Sequence, residues 1–202
     1  AADFITRHRN NPFILYVNFL EPHMPFTGPL NELYPPDDLP VGPHFRRPPE
    51  GASRLHREMA AHYMRHFPTE ADMRRTRARY LGLVTLLDRA VGNILRALEA
   101  SGQADNTIVV FTSDHGDMMG DHGIVAKCVM YEEAVRVPLL VRVPWLGRSQ
   151  RRIGGRMSQV DLVPTLLELM GAPAPGGLDG RSRAGVLEGR DDLGGNDVVI
   201  EW

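Results

Sequence analysis

The 202-residue chain has a single cysteine, Cys128, which excludes an internal disulfide, and the Val129-Met130-Tyr131 that follows it gives no redox pair. It has no run approaching the roughly 20 consecutive apolar residues of a membrane-spanning helix, so no transmembrane segment is expected. Neither sign of charge is in excess: 23 Lys and Arg against 25 Asp and Glu leave a net charge of -2. That removes the global polycation signature of a nucleic-acid binder. Ala1-Ala2-Asp3 shows neither an initiator Met nor a signal-peptide pattern, so the start reads as cut. Internal repeats and low-complexity tracts are missing too. The length, with 43% apolar and 24% charged residues, suits one sizeable core rather than two domains.

What is present alternates between strand and helix patterns. Phe13 to Phe19 (FILYVNF) is an almost wholly apolar run with β-branched and aromatic members, which predicts a buried strand. Glu21-Pro22-His23-Met24-Pro25 stops it, and residues 27 to 49, with Pro29, Pro35, Pro36, Pro40, Pro43, Pro48 and Pro49, read as irregular loop. An arginine- and histidine-rich stretch covers residues 44 to 70; charge runs of this kind usually face water, and the other reading is an anion-facing surface. Thr69 can cap a helix with Asp72 near the capping-box position. Tyr80, Leu83, Val84, Leu87, Val91, Ile94, Leu95 and Leu98 then form one apolar stripe that ends at Gly102. Thr107 to Thr112 (TIVVFT) and Leu139 to Val143 predict two more strands, Asp161 to Met170 a short helix capped by Asp161, and Val198 to Trp202 the start of a further strand. This order predicts an α/β fold, a mostly parallel sheet flanked by helices and truncated at both ends.

Ligands of open α/β sheets bind beyond the carboxyl ends of the strands, and there, after Thr112, stands Ser113-Asp114-His115-Gly116-Asp117. Asp114 and His115 side by side can point at one cation, with Gly116 letting the backbone turn; the plainer alternative is that Asp114 caps the next turn and His115 bonds locally. Asp114, His115, Asp117, Asp121 and His122 crowd into nine residues among Gly116, Gly120 and Gly123, a density that is costly unless something organises it. Lys127 can bind an anionic group as a point charge or simply face solvent. His23, between Pro22 and Pro25, can serve as an acid or as a donor to an oxyanion, although a histidine after a strand is more often a local hydrogen-bonder.

The run FTSDHGDMMGDHGIVAKCVMYEEAVRVPLLVRVPW (111 to 145) closely resembles the metal-binding segment of sulfatases, relatives of the phosphonate and phosphate monoester hydrolases in the alkaline-phosphatase superfamily. EPHMPF (21 to 26) is similar to the family's H-x-P element, RYLGLVTLLDRAVGNILRAL (79 to 98) to its long helix, and SQVDLVPTLLELMGAPAP (158 to 175) with LDGRS (178 to 182) to its later helix and loop. The resemblance implies an alkaline-phosphatase-like partial catalytic domain over residues 1 to 202, with 44 to 70 as an insert and 176 to 202 beginning the C-terminal part. It implies that Asp114 and His115 bind a divalent metal, usually calcium, with magnesium or manganese kept open by the imidazole ligand. It further implies that Lys127 contacts the sulfate and steadies the leaving oxygen, and that His23 holds the sulfate or protonates the leaving group. The expected activity is sulfuric ester hydrolysis through a formylglycine nucleophile, with phosphate or phosphonate ester hydrolysis or a non-catalytic relative as alternatives. The expected substrate is a sulfate ester, a sulfated glycan being suggested by the arginine-rich insert, and the resemblance implies a periplasmic, secreted or lysosomal compartment, which the residues themselves leave open. The family's two further aspartates and its C-x-P-S-R motif do not occur in these residues, and Cys128 lacks the Pro and Arg that would make it that nucleophile.

Overall fold

A computed structural model describes residues 1–147 and 149–200. They form two units, Ala1–Val141 and Arg142–Trp202. In the first, helix α1 (Ala2–Arg7) packs on helix α3 (Glu70–Ala100), and helix α2 (Arg54–Met64) lies within the arginine-rich stretch. Strand β1 (Val109–Thr112), the short helix α4 (Glu132–Val135) and strand β2 (Leu139–Arg142) follow. The second unit holds helices α5 (Leu162–Leu169) and α6 (Ala184–Glu188), which pack on each other.

The capping box starts α3 where the sequence places it. The Thr69 hydroxyl accepts the Asp72 N–H at 3.2 Å, and the Asp72 carboxylate accepts the Thr69 N–H at 3.0 Å. The apolar stripe turns inward, with Leu83 and Leu98 buried and Leu95 at its exposed rim, and the chain leaves α3 through Gly102 at φ 76°. Gly82 interrupts the stripe because the proline-rich loop crosses there: a Cβ on it would stand 2.4 Å from the Leu30 carbonyl oxygen. The loop is tied down from the helix, since the Arg74 and Arg77 guanidinium groups donate to the carbonyls of Leu39 and Pro40.

Two expectations for the sheet change. Among the described residues it holds two paired strands, β1 and β2, and Phe13–Phe19 is not one of them. That segment alternates: Phe13, Leu15, Val17 and Phe19 are half-buried, while Ile14 and Tyr16 are each 87% exposed. An apolar run tells that both faces could be buried, but burial needs covering elements, and Phe13 finds its partner on one side only, edge-on to Phe4 of α1. Val198 to Ile200 likewise form no strand, and Glu201 and Trp202 lie outside the described residues. In the second unit, Asp161 does not cap α5. Its buried carboxylate accepts from the Arg181 N–H at 2.8 Å and from Arg183 Nε at 2.9 Å, pinning the LDGRS loop to the helix start.

The core of the first unit runs beneath the loop after β1. Met64, Met73 and Val125 form one buried cluster, with Met24, Phe26, Phe45 and Phe67 against it. Met118, Ile124 and Ala134 form a second, covered by Tyr63, Val129 and Tyr131. Each fully buried Met or Ile contributes about 1.5–3 kcal/mol, so the loop that carries the charged residues is anchored through its own apolar ones.

Candidate active site

Gly116 is required for a reason other than the turn expected of it. Its N–H bonds the Ala134 carbonyl at 2.8 Å, and a Cβ would stand 1.9 Å from the Glu133 carbonyl oxygen. The backbone of α4 therefore rests directly on the residue after His115, and the Asp114-His115 pair is held between a strand end and a helix.

Within the pair, the Asp114 Oδ1 accepts the His115 N–H at 2.9 Å, and the Asp114 side chain is 85% exposed. The His115 Nδ1 lies 2.7 Å from the Gly116 carbonyl, which can only accept, so Nδ1 carries hydrogen and Nε2 of the neutral ring keeps its lone pair. That Nε2 stands 3.6 Å from Asp114 Oδ2, too far for a hydrogen bond. Two acceptors thus face each other, an arrangement a cation satisfies, and the carbonyl bond on Nδ1 is the usual way of orienting a metal-binding imidazole. The donors fit a divalent cation but supply only part of its shell; among the described residues no group of three or more His, Cys, Asp or Glu gathers around one point.

His23 and Lys127, 104 residues apart in sequence, meet directly. The His23 Nδ1 donates to the Met24 carbonyl at 2.7 Å, leaving Nε2 as an acceptor for the Lys127 ammonium at 2.8 Å. Lys127 is the only lysine in the chain, every other basic side chain apart from histidine being arginine. It sits between Ala126 and Cys128, each at φ 75°. Cys128 is exposed: the left-handed backbone around Lys127 turns its neighbour outward.

The other ionisable residues of the cluster do different work. Asp117 Oδ1 accepts the Met119 N–H at 2.9 Å and the Ala126 N–H at 3.1 Å. Burial holds its carboxyl above the ordinary value, offset in part by these two bonds and by the charges of Lys127 and His115. The buried Asp121 accepts the His44 N–H at 3.3 Å. What organises the density of charge is therefore largely the loop's own amide groups. Beyond it, His44, His122 and Tyr131 stack at 4.8 Å and 4.2 Å between ring centroids, and His56 of α2 donates through Nε2 to the His122 carbonyl at 2.9 Å. No sequence spacing points to this stack, because its members come from three separated segments. The insert is thus partly a buttress: Arg46 bonds the Phe67 carbonyl at 2.8 Å, and Arg57 the Ala52 carbonyl.

The model of the sulfatase family matches residues 1–172. The chain belongs to the sulfatase family. Among its relatives, the arylsulfatase of Clostridium perfringens is 31% identical over 200 residues, covering 95% of this chain and 41% of that protein. The N-acetylglucosamine-6-O-sulfatase of Bacteroides thetaiotaomicron is 39% identical over 109 residues, 54% of this chain and 20% of that protein. The crystal structure of a phosphonate monoester hydrolase of Agrobacterium radiobacter matches with a TM-score of 0.76 and 29% identity over 96% of this chain and 42% of that one. The fold is accordingly the alkaline-phosphatase-like α/β fold of sulfatases and phosphonate hydrolases. The chain spans about two fifths of the length of the curated relatives it matches. Among the described residues no helix is long and apolar enough to cross a membrane.

Proposed function

We propose that this chain contributes half of the catalytic site of a sulfuric ester hydrolase. The observation that carries the reading is the 2.8 Å contact between Lys127 Nζ and His23 Nε2, which puts a fixed positive charge and an imidazole at one point. Cleaving a sulfate ester moves negative charge onto the bridging oxygen, and donors already in place for that charge lower the barrier. In the resting arrangement Lys127 donates to His23. An incoming sulfate group accepts from the Lys127 ammonium instead, and His23, relieved of that contact, takes a proton from solvent at Nε2 and passes it to the leaving oxygen as the ester bond breaks. Asp114 and His115 hold a divalent cation, calcium first and magnesium or manganese next, which when bound supplies Lewis-acid polarisation of the ester. The attacking group is a formylglycine that these 202 residues do not contain.

A second reading keeps the site and exchanges the substrate for a phosphonate or phosphate ester; the likeness to the phosphonate monoester hydrolase favours it. For the sulfate reading, the sugar-sulfatase relative and the exposed Arg47 and Arg54 point to a sulfated glycan. Both are tested by measuring kcat/KM of the full-length gene product on aryl sulfate, aryl phosphonate and a 6-O-sulfated glucosamine. The sulfate reading expects the two sulfates to exceed the phosphonate; a higher value for phosphonate overturns it.

A further inference from the structure

We infer that Asp117 is a positioning residue, holding the ends of the 117–126 loop together so that the Lys127 ammonium stays against His23. The inference rests on the reading of His23 and Lys127 as the anion-binding pair. One oxygen, Asp117 Oδ1, accepts both the Met119 and the Ala126 N–H groups, at 2.9 and 3.1 Å. Beside it the Met118 N–H bonds the Ala126 carbonyl at 2.8 Å. Ala126, the residue before Lys127, is thus tied through both its backbone groups to residues 117 and 118.

The tie matters because the backbone there is under strain. Met119, Ala126 and Cys128 are non-glycine residues at φ 44°, 75° and 75°, a conformation in which Cβ crowds the following carbonyl oxygen. They persist only where surrounding contacts hold them. The Ala126 residue is buried, and so are Met118, Ile124 and Val125; the apolar contacts fix where the loop lies, but none of them fixes the peptide plane ahead of Lys127. Without its acceptor the Ala126 N–H is left unpaired in a buried place, which is costly. Of the two backbone ties on Ala126, only the Met118–Ala126 bond then still opposes rotation of Ala126 toward negative φ, a rotation that swings Lys127 away from His23. Both lone-pair positions of Oδ1 are taken by amides, so through that oxygen Asp117 acts on the backbone of the loop.

Asp117→Asn keeps an acceptor oxygen in place, and Asp117→Leu keeps the shape without the acceptor. In the full-length gene product, Asp117→Leu is expected to lower kcat on an aryl sulfate by about tenfold to a hundredfold, the scale of a misplaced catalytic group. KM should change less, and Asp117→Asn should stay within about threefold of wild type, since it forms the same two bonds. In the full-length gene product labelled with 15N-lysine, the ammonium resonance that Lys127→Ala removes should move to the position of a solvated lysine in Asp117→Leu and stay in Asp117→Asn. If Asp117→Leu does not fold, Asp117→Ala carries the same comparison. Wild-type kcat in the leucine variant, equal losses in both variants, or a lowered melting temperature with an unmoved lysine signal would each overturn the inference. A Lys127→Ala enzyme with full turnover would instead sink the underlying reading of the pair, whereas an inactive Lys127→Ala beside a fully active Asp117→Leu rejects only the role of Asp117.

Discussion

Lys127 and His23 illustrate what a single side chain contributes here. Neither residue type in isolation signals chemistry, and each has a common alternative fate, the lysine in solvent and the histidine bonded locally. His23 in fact does bond locally, through Nδ1 to the Met24 carbonyl, and this bond is what frees Nε2 to face the lysine. The Asp114-His115 pair shows the same logic, a local bond on one ring nitrogen and the other nitrogen 3.6 Å from the Asp114 carboxylate. Asp114→Asn, which removes the charge of that carboxylate, should lower the bound divalent metal of the full-length gene product by tenfold or more as measured by elemental analysis, in line with the loss expected when a ligand is weakened. An unchanged metal content would remove Asp114 from the shell. Asp114, His115 and Lys127 stand in a run that resembles a family motif and His23 in a second, shorter one, which is why the sequence singles them out. The roles of Asp117 and of the His44, His122 and Tyr131 stack were not legible there, since a carboxylate satisfied by amides, and a ring 78 positions from the one it stacks on, leave no spacing to read.

Among the elements, α3 was the most legible, because its stripe, cap and terminal glycine are local signals that agree with one another. Asp72 is held below its ordinary value of 3.8, first by the hydrogen bond from the Thr69 hydroxyl and then by the Thr69 N–H and Arg75. A carboxylate depressed in the folded state stabilises fully above pH 3.8 and loses that contribution as the pH falls through its lowered native value. The difference in melting temperature between wild type and Asp72→Asn should therefore be present at pH 7 and shrink below pH 3.8, and a constant difference across that range would contradict the capping role. Asp161 carries more weight in α5. Its side chain is 5% exposed and paired with Arg183, and breaking a buried pair from one side costs about 3–5 kcal/mol. Asp161→Ala should lower the denaturation midpoint of the second unit accordingly; a loss under about 1 kcal/mol, the level of a surface pair, would contradict the burial. Asp before an apolar helix usually caps it, and the partner that redirects Asp161 lies 22 positions on, beyond the reach of local sequence patterns.

For the whole molecule, the α/β class followed from the order of strand and helix patterns, and β1 and β2 form where expected. The Phe13–Phe19 run did not follow, because whether an apolar segment becomes a buried strand depends on what lies beside it. Its outward residues Ile14, Tyr16 and Leu20 are 74–87% exposed, and an extended apolar segment with open hydrogen-bonding groups invites pairing with another chain. The 202-residue chain alone should therefore self-associate in light scattering at micromolar concentration, with Ile14→Lys and Tyr16→Lys reducing it; a monomer that unfolds cooperatively would contradict this.

The site unites residues from positions 23 to 127, and its central claim is that His23 and Lys127 act together on one developing charge. The most direct test is a double-mutant cycle on aryl sulfate turnover by the full-length gene product, using His23→Ala, Lys127→Ala and the pair. The account predicts that each single change lowers kcat by about a hundredfold or more without a matching fall in melting temperature, and that the double variant is little worse than either single one. Wild-type turnover in either single variant, or losses that simply multiply, would contradict it.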